Sequence, residues 1–331
     1  GTPRQIIQSP GPVDLPLHDL GGLDTASQEA RWRRHVLLDA SQPFDLSCEN
    51  PLRACLWRLK SEEHVLYINV HHIAIDDWSQ EIFWRELSSL YGSFRRGEQP
   101  SLPELRAAYT DYALWQRDRV TEDRLEHELS YWRKQLADVT PLELPSDQAR
   151  TPQARFQGAS HSFALASSVV HRLQRLGSVC EATQHITLLA AFQVLLARIC
   201  GTDDVAVGVP TAGRLREEWE SLIGFFANTL VLRAILTGGS TFRSVLDQAR
   251  EASLAAYEHQ ETPFEWLVQE LQPERYLSHT PIFQVLFQLQ DLPDHPPELS
   301  GLQSSWLREE ASQVRFDLEL HLRKSEEGVQ G

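Results

Sequence analysis

The run Glu63-His64-Val65-Leu66-Tyr67-Ile68-Asn69-Val70-His71-His72 constrains the fold more than any other stretch of this chain. Apolar and aromatic residues crowd it, and Lys60-Ser61-Glu62 separates it from a second such run at 51–59, so the pair predicts a β-hairpin. Directly downstream, Phe83, Leu87, Leu90, Tyr91 and Phe94 recur at helical spacing between Trp78 and Arg96, with Ser79 or Asp77 placed to cap the start. A strand that passes through a short turn into an amphipathic helix needs sheet and helix layers together. The expected class is therefore mixed α/β, of the two-layer α+β kind.

Side chains alternate faces along a strand, which groups Leu66, Ile68, Val70 and His72 on one apolar face and Tyr67, Asn69 and His71 on the other. His72 is thus expected to enter a partly dehydrated space, where the neutral imidazole is favoured and can accept a proton. That suits a general base. Asp76 falls in the turn before the helix, where it can face solvent, cap the helix or pair with an arginine that fixes the turn; pairing is preferred to direct catalysis. Asp77 tolerates turn geometry and can also cap. By spacing alone a strand-end histidine is more often structural than catalytic. Metal binding by the adjacent pair is disfavoured by their opposite faces and by the lack of a third ligand at a metal-site spacing.

Elsewhere, residues 1–30 read as loop and edge strand, with a polar helix near 26–40. A helical pair is expected over 105–137, and Pro141, Pro145 and Pro152 mark a connector, which divides the chain into lobes at 1–143 and 144–331. Helices follow at 168–178, 187–200 (stopped by Gly201) and 241–257, and strands at 203–209, 229–236 and 282–290. No repeat of fixed period and no sustained heptad run is present.

The 331 residues, 41% hydrophobic and 23% charged, suffice to bury a sizeable core. A net charge of −15 argues against a nucleic-acid partner, which rewards a basic face. No apolar run reaches membrane-span length and the first residues lack a signal-peptide pattern, so a cytoplasmic protein is expected. Cys48, Cys55, Cys180 and Cys200 lie in apolar segments with neither CxxC pairs nor histidines nearby in sequence, and are expected as buried free thiols. With no Met, an initial Gly and a polar end, Lys324-Ser325-Glu326-Glu327-Gly328, the chain reads as an excised fragment.

The segment His71-His72-Ile73-Ala74-Ile75-Asp76-Asp77 resembles the HHxxxDG signature of nonribosomal peptide synthetase condensation domains. Four further segments are similar to that family's motifs, in the family's order: Tyr109-Thr110-Asp111-Tyr112-Ala113-Leu114-Trp115, Ile223-Gly224-Phe225-Phe226-Ala227-Asn228-Thr229-Leu230, His259-Gln260-Glu261-Thr262-Pro263-Phe264-Glu265 and Ser278-His279-Thr280-Pro281-Ile282-Phe283-Gln284. Pro43-Phe44-Asp45-Leu46 and Gly213-Arg214 also fall where the family has similar residues. The resemblance implies two chloramphenicol-acetyltransferase-like lobes in a V-shaped pseudo-dimer with a central tunnel, truncated at both ends. It implies an acyltransferase that joins a carrier-bound aminoacyl or peptidyl thioester to a carrier-bound amine, with His72, His71 and Asp76 at the centre. Arg214 would brace Asp76, and Asp77, Trp78, Ser79, Phe226 and Asn228 would line the tunnel. Asp77 departs from the family's usual Gly. No cofactor or metal is implied in the domain itself; phosphopantetheine arms belong to upstream and downstream peptidyl carrier proteins, beside an adenylation domain, in a synthetase where this domain is monomeric. An epimerization domain and a non-catalytic recruitment module share the fold. The Trp78-Ser79 order and the segment at 259–265 favour condensation over the first, and the retained His72 over the second. A coenzyme-A-dependent plant-type acyltransferase shares only the HxxxD core.

Overall fold

Strands β2 (Leu52–Lys60) and β3 (Glu63–Val70) form the expected hairpin, antiparallel from Leu52 opposite Val70 to Lys60 opposite Glu63. Strand β1 (Leu17–Asp19) adds parallel to β2, giving a three-stranded sheet in the order β1-β2-β3. This computed structural model describes residues 4–9, 11–119, 122–147, 150–151, 157–271, 280–290, 296–307, 314–325 and 328–331. Pro152, Ser278, His279 and the end-run residues Glu326 and Glu327 lie outside the described residues.

Two compact units divide the chain: residues 1–80 with 223–225, and residues 81–222 with 226–331. In the first unit, helix α1 (Thr25–Ser41) covers one face of the sheet. Asp24 caps it, accepting from the Ser27 amide at 3.0 Å. Trp32 on this helix packs with Leu20, Cys55, Trp57 and Val65, and truncating a tryptophan in such a core costs about 3–5 kcal/mol. The buried Gln28 amide is satisfied by the carbonyls of Leu20 and Leu59, at 3.0 and 2.9 Å. The face that α1 covers is therefore the one bearing Val65 and Tyr67, while Leu66 on the opposite face is 39% exposed. Helix α2 (Asp77–Arg95) begins in this unit and continues into the second.

The second unit is built on a six-stranded mixed sheet in the order β4-β9-β8-β7-β5-β6. Its strands are β4 (Ala164–Ala166), β5 (Asp204–Thr211), β6 (Asn228–Ile235), β7 (Val285–Gln290), β8 (Leu318–Ser325) and β9 (Gly328–Gln330). Strands β5 and β6 pair antiparallel along their whole length, and β5, β7 and β8 run parallel. The helices are α3 (Tyr109–Asp118), α4 (Glu122–Gln135), α5 (Ser167–Val179), α6 (Gln184–Cys200), α7 (Phe242–Glu258) and α8 (Phe264–Leu271). Val205, Val207 and Val209 of β5, Leu230 and Leu232 of β6, Leu189 and Leu196 of α6, and Leu246 of α7 meet in the main core. Apolar residues all round make α6 a buried helix; Thr183 caps its start and Gly201, at φ 65°, ends it. No single described helix is long and apolar enough to cross a membrane.

The mixed α/β class, the polar helix at 26–40, the hairpin and the helices and strands expected between 168 and 290 are all present. Helix α8 and strands β4, β8 and β9 were not anticipated: β4 and β9 have three residues each, α8 has only eight, and β8 carries Glu319, His321, Arg323 and Lys324, which weaken a strand signal. The cysteines are all free; Cys55 and Cys180 are buried, but Cys200 is only half-buried and Cys48 is exposed, because it follows the turn at Asp45 and not a strand.

Candidate active site

Strand β3 stops at Val70, so His71 and His72 occupy the turn that leads to α2 and do not continue the strand's alternation. His72 is exposed, not sunk in an apolar face, because the buried face of the hairpin is the one under α1. Its Nδ1 lies 2.7 Å from the Ile75 carbonyl oxygen. A carbonyl only accepts, so Nδ1 carries the proton and donates, and Nε2 of the neutral ring is left with a lone pair. The Phe225 ring meets the imidazole edge-on, with centroids 5.0 Å apart.

His71 is wired in the opposite sense. Its Nδ1 accepts from the Ile73 amide at 3.0 Å, which puts the proton of the neutral ring on Nε2. Its own amide donates to the Pro51 carbonyl at 2.8 Å, and its ring stands edge-on to Phe44, 5.7 Å away. Phe44 is held from behind by Arg53, whose guanidinium carbon sits 4.0 Å over the ring and whose Nη2 donates to the Pro43 carbonyl at 2.9 Å. Asp39 accepts from Tyr67 at 3.0 Å and from Asn69 at 2.8 Å. Burial, followed by that carboxylate, pushes the Tyr67 hydroxyl above its usual range and keeps it a neutral donor.

The turn ends in a cap. Asp76 is 2% exposed and its Oδ1 accepts from the Ser79 amide at 2.8 Å, so Asp76 is the N-cap of α2. Asp77 is the first helical residue and is exposed, where a carboxylate suits the positive end of the helix dipole. The expected capping role of Asp77 or Ser79 therefore passes to Asp76. Trp78 is 39% exposed. Ser79 is fully buried: its Oγ donates to the Gly224 carbonyl at 2.9 Å and accepts from the Gly224 amide at 3.1 Å. This clasp, across 145 positions of sequence, fixes the segment that carries Phe225.

In the second unit, Arg214 donates through Nη1 to the carbonyls of Trp219 and Leu222 and lies 4.0 Å over the Phe226 ring. Phe226 is 2% exposed and packs with Tyr112, Trp219 and Leu222. Gly213, at φ 64°, leaves no room for a side chain: an added Cβ would lie 1.9 Å from the Phe226 carbonyl oxygen. Asn228 holds the segment at 259–265. Its Nδ2 donates to the carbonyls of Gln260 and Thr262, at 2.9 and 2.7 Å, and its Oδ1 accepts from the Phe264 amide at 3.0 Å. Ser79, Phe226 and Asn228, expected along a tunnel, thus direct their side chains to protein backbone and core. Phe225, the Ile75 carbonyl and Phe44 were not singled out; only the Phe-Phe pair and the Pro-Phe-Asp-Leu segment hinted at two of them.

A protein-family model described as Condensation domain matches residues 1–330. The chain belongs to the condensation-domain family. It is 42% identical to one of the linear gramicidin synthase proteins of Brevibacillus parabrevis over 99% of its own length and 6% of that protein. It is also 42% identical to chondramide synthase of Chondromyces crocatus over 92% of its length and 8% of that protein. This condensation domain therefore spans under a tenth of either relative. Among solved structures, the X-domain from teicoplanin biosynthesis matches with a TM-score of 0.84 and 28% identity, over 98% of this chain and 74% of that one. The mixed α/β fold, chloramphenicol-acetyltransferase-like as the resemblance implied, is that of the family.

Proposed function

We propose that this condensation domain forms amide bonds, passing an aminoacyl or peptidyl group from a carrier-bound thioester to an amine held on a second carrier. The observation that carries the proposal is the wiring of His72, whose Nδ1–H is committed to Ile75 and whose Nε2 is left as an acceptor on an exposed ring. In aminolysis the amine nitrogen attacks the thioester carbonyl carbon, the C–S bond breaks, and the ammonium proton must leave while the thiolate gains one. Nε2 is suited to take that proton, or to hydrogen-bond the zwitterionic intermediate, and then to return it to sulfur. Phe225, fixed through the Ser79–Gly224 clasp, limits the tilt of the ring.

The same proposal assigns His71 to structure, Asp76 to the turn with Arg214 as its brace, and Asp77 and Trp78 to the substrate path. It keeps the lobe boundary at 143/144. Phosphopantetheine arms on upstream and downstream carrier proteins would deliver both substrates, with an adenylation domain adjoining. In a synthetase carrying this domain, His72→Ala is expected to lower dipeptide formation on loaded carriers by roughly 10²–10⁴-fold with an unchanged melting temperature. Near-normal turnover by folded His72→Ala overturns the assignment. Solvent deuterium entering the substrate α-carbon without amide formation would point to epimerization, and no product of either kind from the unaltered domain would point to recruitment. Non-zero coupling between Asp76→Ala and Arg214→Ala in a double-mutant cycle supports the brace, and strict additivity rejects it.

A further inference from the structure

The sequence places no histidine near Cys55, but the first unit folds two beside it. His18 on β1, His35 on α1 and Cys55 on β2 each bring one ligand atom to within 4.8 Å of the others. Both imidazoles are exposed, and the thiol is 2% exposed, at the base of the cluster. The indole of Trp57 forms the wall: His18 stacks on it at 6.4 Å and His35 meets it edge-on at 5.2 Å. Among the described residues no hydrogen bond engages either imidazole, while the Cys55 sulfur makes a weak contact of 3.7 Å to the Pro16 carbonyl.

We propose that His18, His35 and Cys55 form a zinc site that clips β1 and α1 to β2. Two imidazoles and a thiolate are a nitrogen and sulfur set suited to zinc, and the absence of a carboxylate from the trio disfavours calcium and magnesium. Tetrahedral zinc, with Zn–N of about 2.0–2.1 Å and Zn–S of about 2.3 Å, needs ligand atoms about 3.4–3.6 Å apart. The cluster closes to that size by rotations of the two exposed imidazoles, which have solvent on one side and rotamer freedom to use. Water completes the fourth position. On binding, the Cys55 thiol releases its proton to solvent and both histidines bind through a neutral nitrogen. Burial pushes the free Cys55 thiol up, so it waits as a protonated, unreactive group until a cation displaces the proton. The clip acts where the unit is least secured, since β1 is three residues long and exposed throughout.

The test uses the full 331-residue chain, stripped with a chelator, and titrates zinc and cobalt(II). One equivalent of cobalt is expected to give a thiolate-to-cobalt charge-transfer absorption, and zinc to displace it and raise the melting temperature. Cys55→Ser removes the absorption, and His18→Ala and His35→Ala, at exposed positions that should not disturb folding, each weaken binding at least 10-fold. Cys48→Ser, which deletes the exposed thiol, leaves it in place. The other described cluster of ligating groups, His127, Glu128 and His259, has no thiol and cannot produce this band. No charge-transfer band at stoichiometric cobalt, a band lost in Cys48→Ser, or a band unweakened in both histidine variants overturns the proposal.

Discussion

Two adjacent histidines in this domain take up opposite tautomers because their Nδ1 atoms meet opposite backbone groups, a carbonyl for His72 and an amide for His71. Under the proposed function, chemistry and scaffolding would thereby be divided over one peptide bond. Ser79 belongs to the same arrangement. Ser79→Ala removes both bonds to the buried Gly224 backbone and is expected to cost about 1–3 kcal/mol in urea denaturation, with a loss of turnover larger than that stability change explains, since Phe225 loses its anchor. At Asp76, Asn keeps an oxygen for the Ser79 amide, whereas Ala removes it. Asp76→Ala should therefore be less stable than Asp76→Asn by about 1 kcal/mol, the usual worth of an N-cap, and equal melting of the two would remove Asp76 as the cap.

At the level of elements, two of the motif segments are junctions. The segment Pro43–Leu46 is pinned by Arg53 of β2 and buttresses His71, and Asn228, at the start of β6, ties down the loop before α8 with three hydrogen bonds. Replacing Asn228 by Ala leaves two carbonyls and an amide without their partner and is expected to cost about 2–3 kcal/mol, measured by chemical denaturation. Asn228→Asp should do no better, because its carboxylate would face the Gln260 and Thr262 carbonyls; wild-type stability for the Asp variant would mean that the amide donors are unimportant. Patterns in the sequence revealed α1, α2, the pair α3 and α4, α5, α6 and α7 and the strands β2, β3, β5, β6 and β7. Short or polar elements stayed hidden, since β8 and β9 are strands by virtue of their neighbours in the sheet.

Across the whole molecule, order should be graded by burial and pairing. Strands β5 and β7 lie in the main core with a paired neighbour on each side, while β1 is short, exposed and at a sheet edge. Amide hydrogen exchange is expected to be slowest in β5 and β7 and fast in β1; rapid exchange along β5 would contradict this core. The sequence by itself determined the family, through five ordered motifs, and the class, through periodicities of two and 3.6, because both are local properties of the chain. It also placed Asp76 in the turn before α2, but it carried the strand on through His71 and His72, which the structure puts in that turn. Only the tertiary structure decided which face of β3 is buried, because that depends on where α1 lies. Likewise it decided that Asp76 and not Asp77 caps α2, that Ser79 reaches Gly224 and that His18 and His35 come to Cys55: hydrogen-bond partners and ligand sets are fixed by distances in space, which spacing along the chain does not encode.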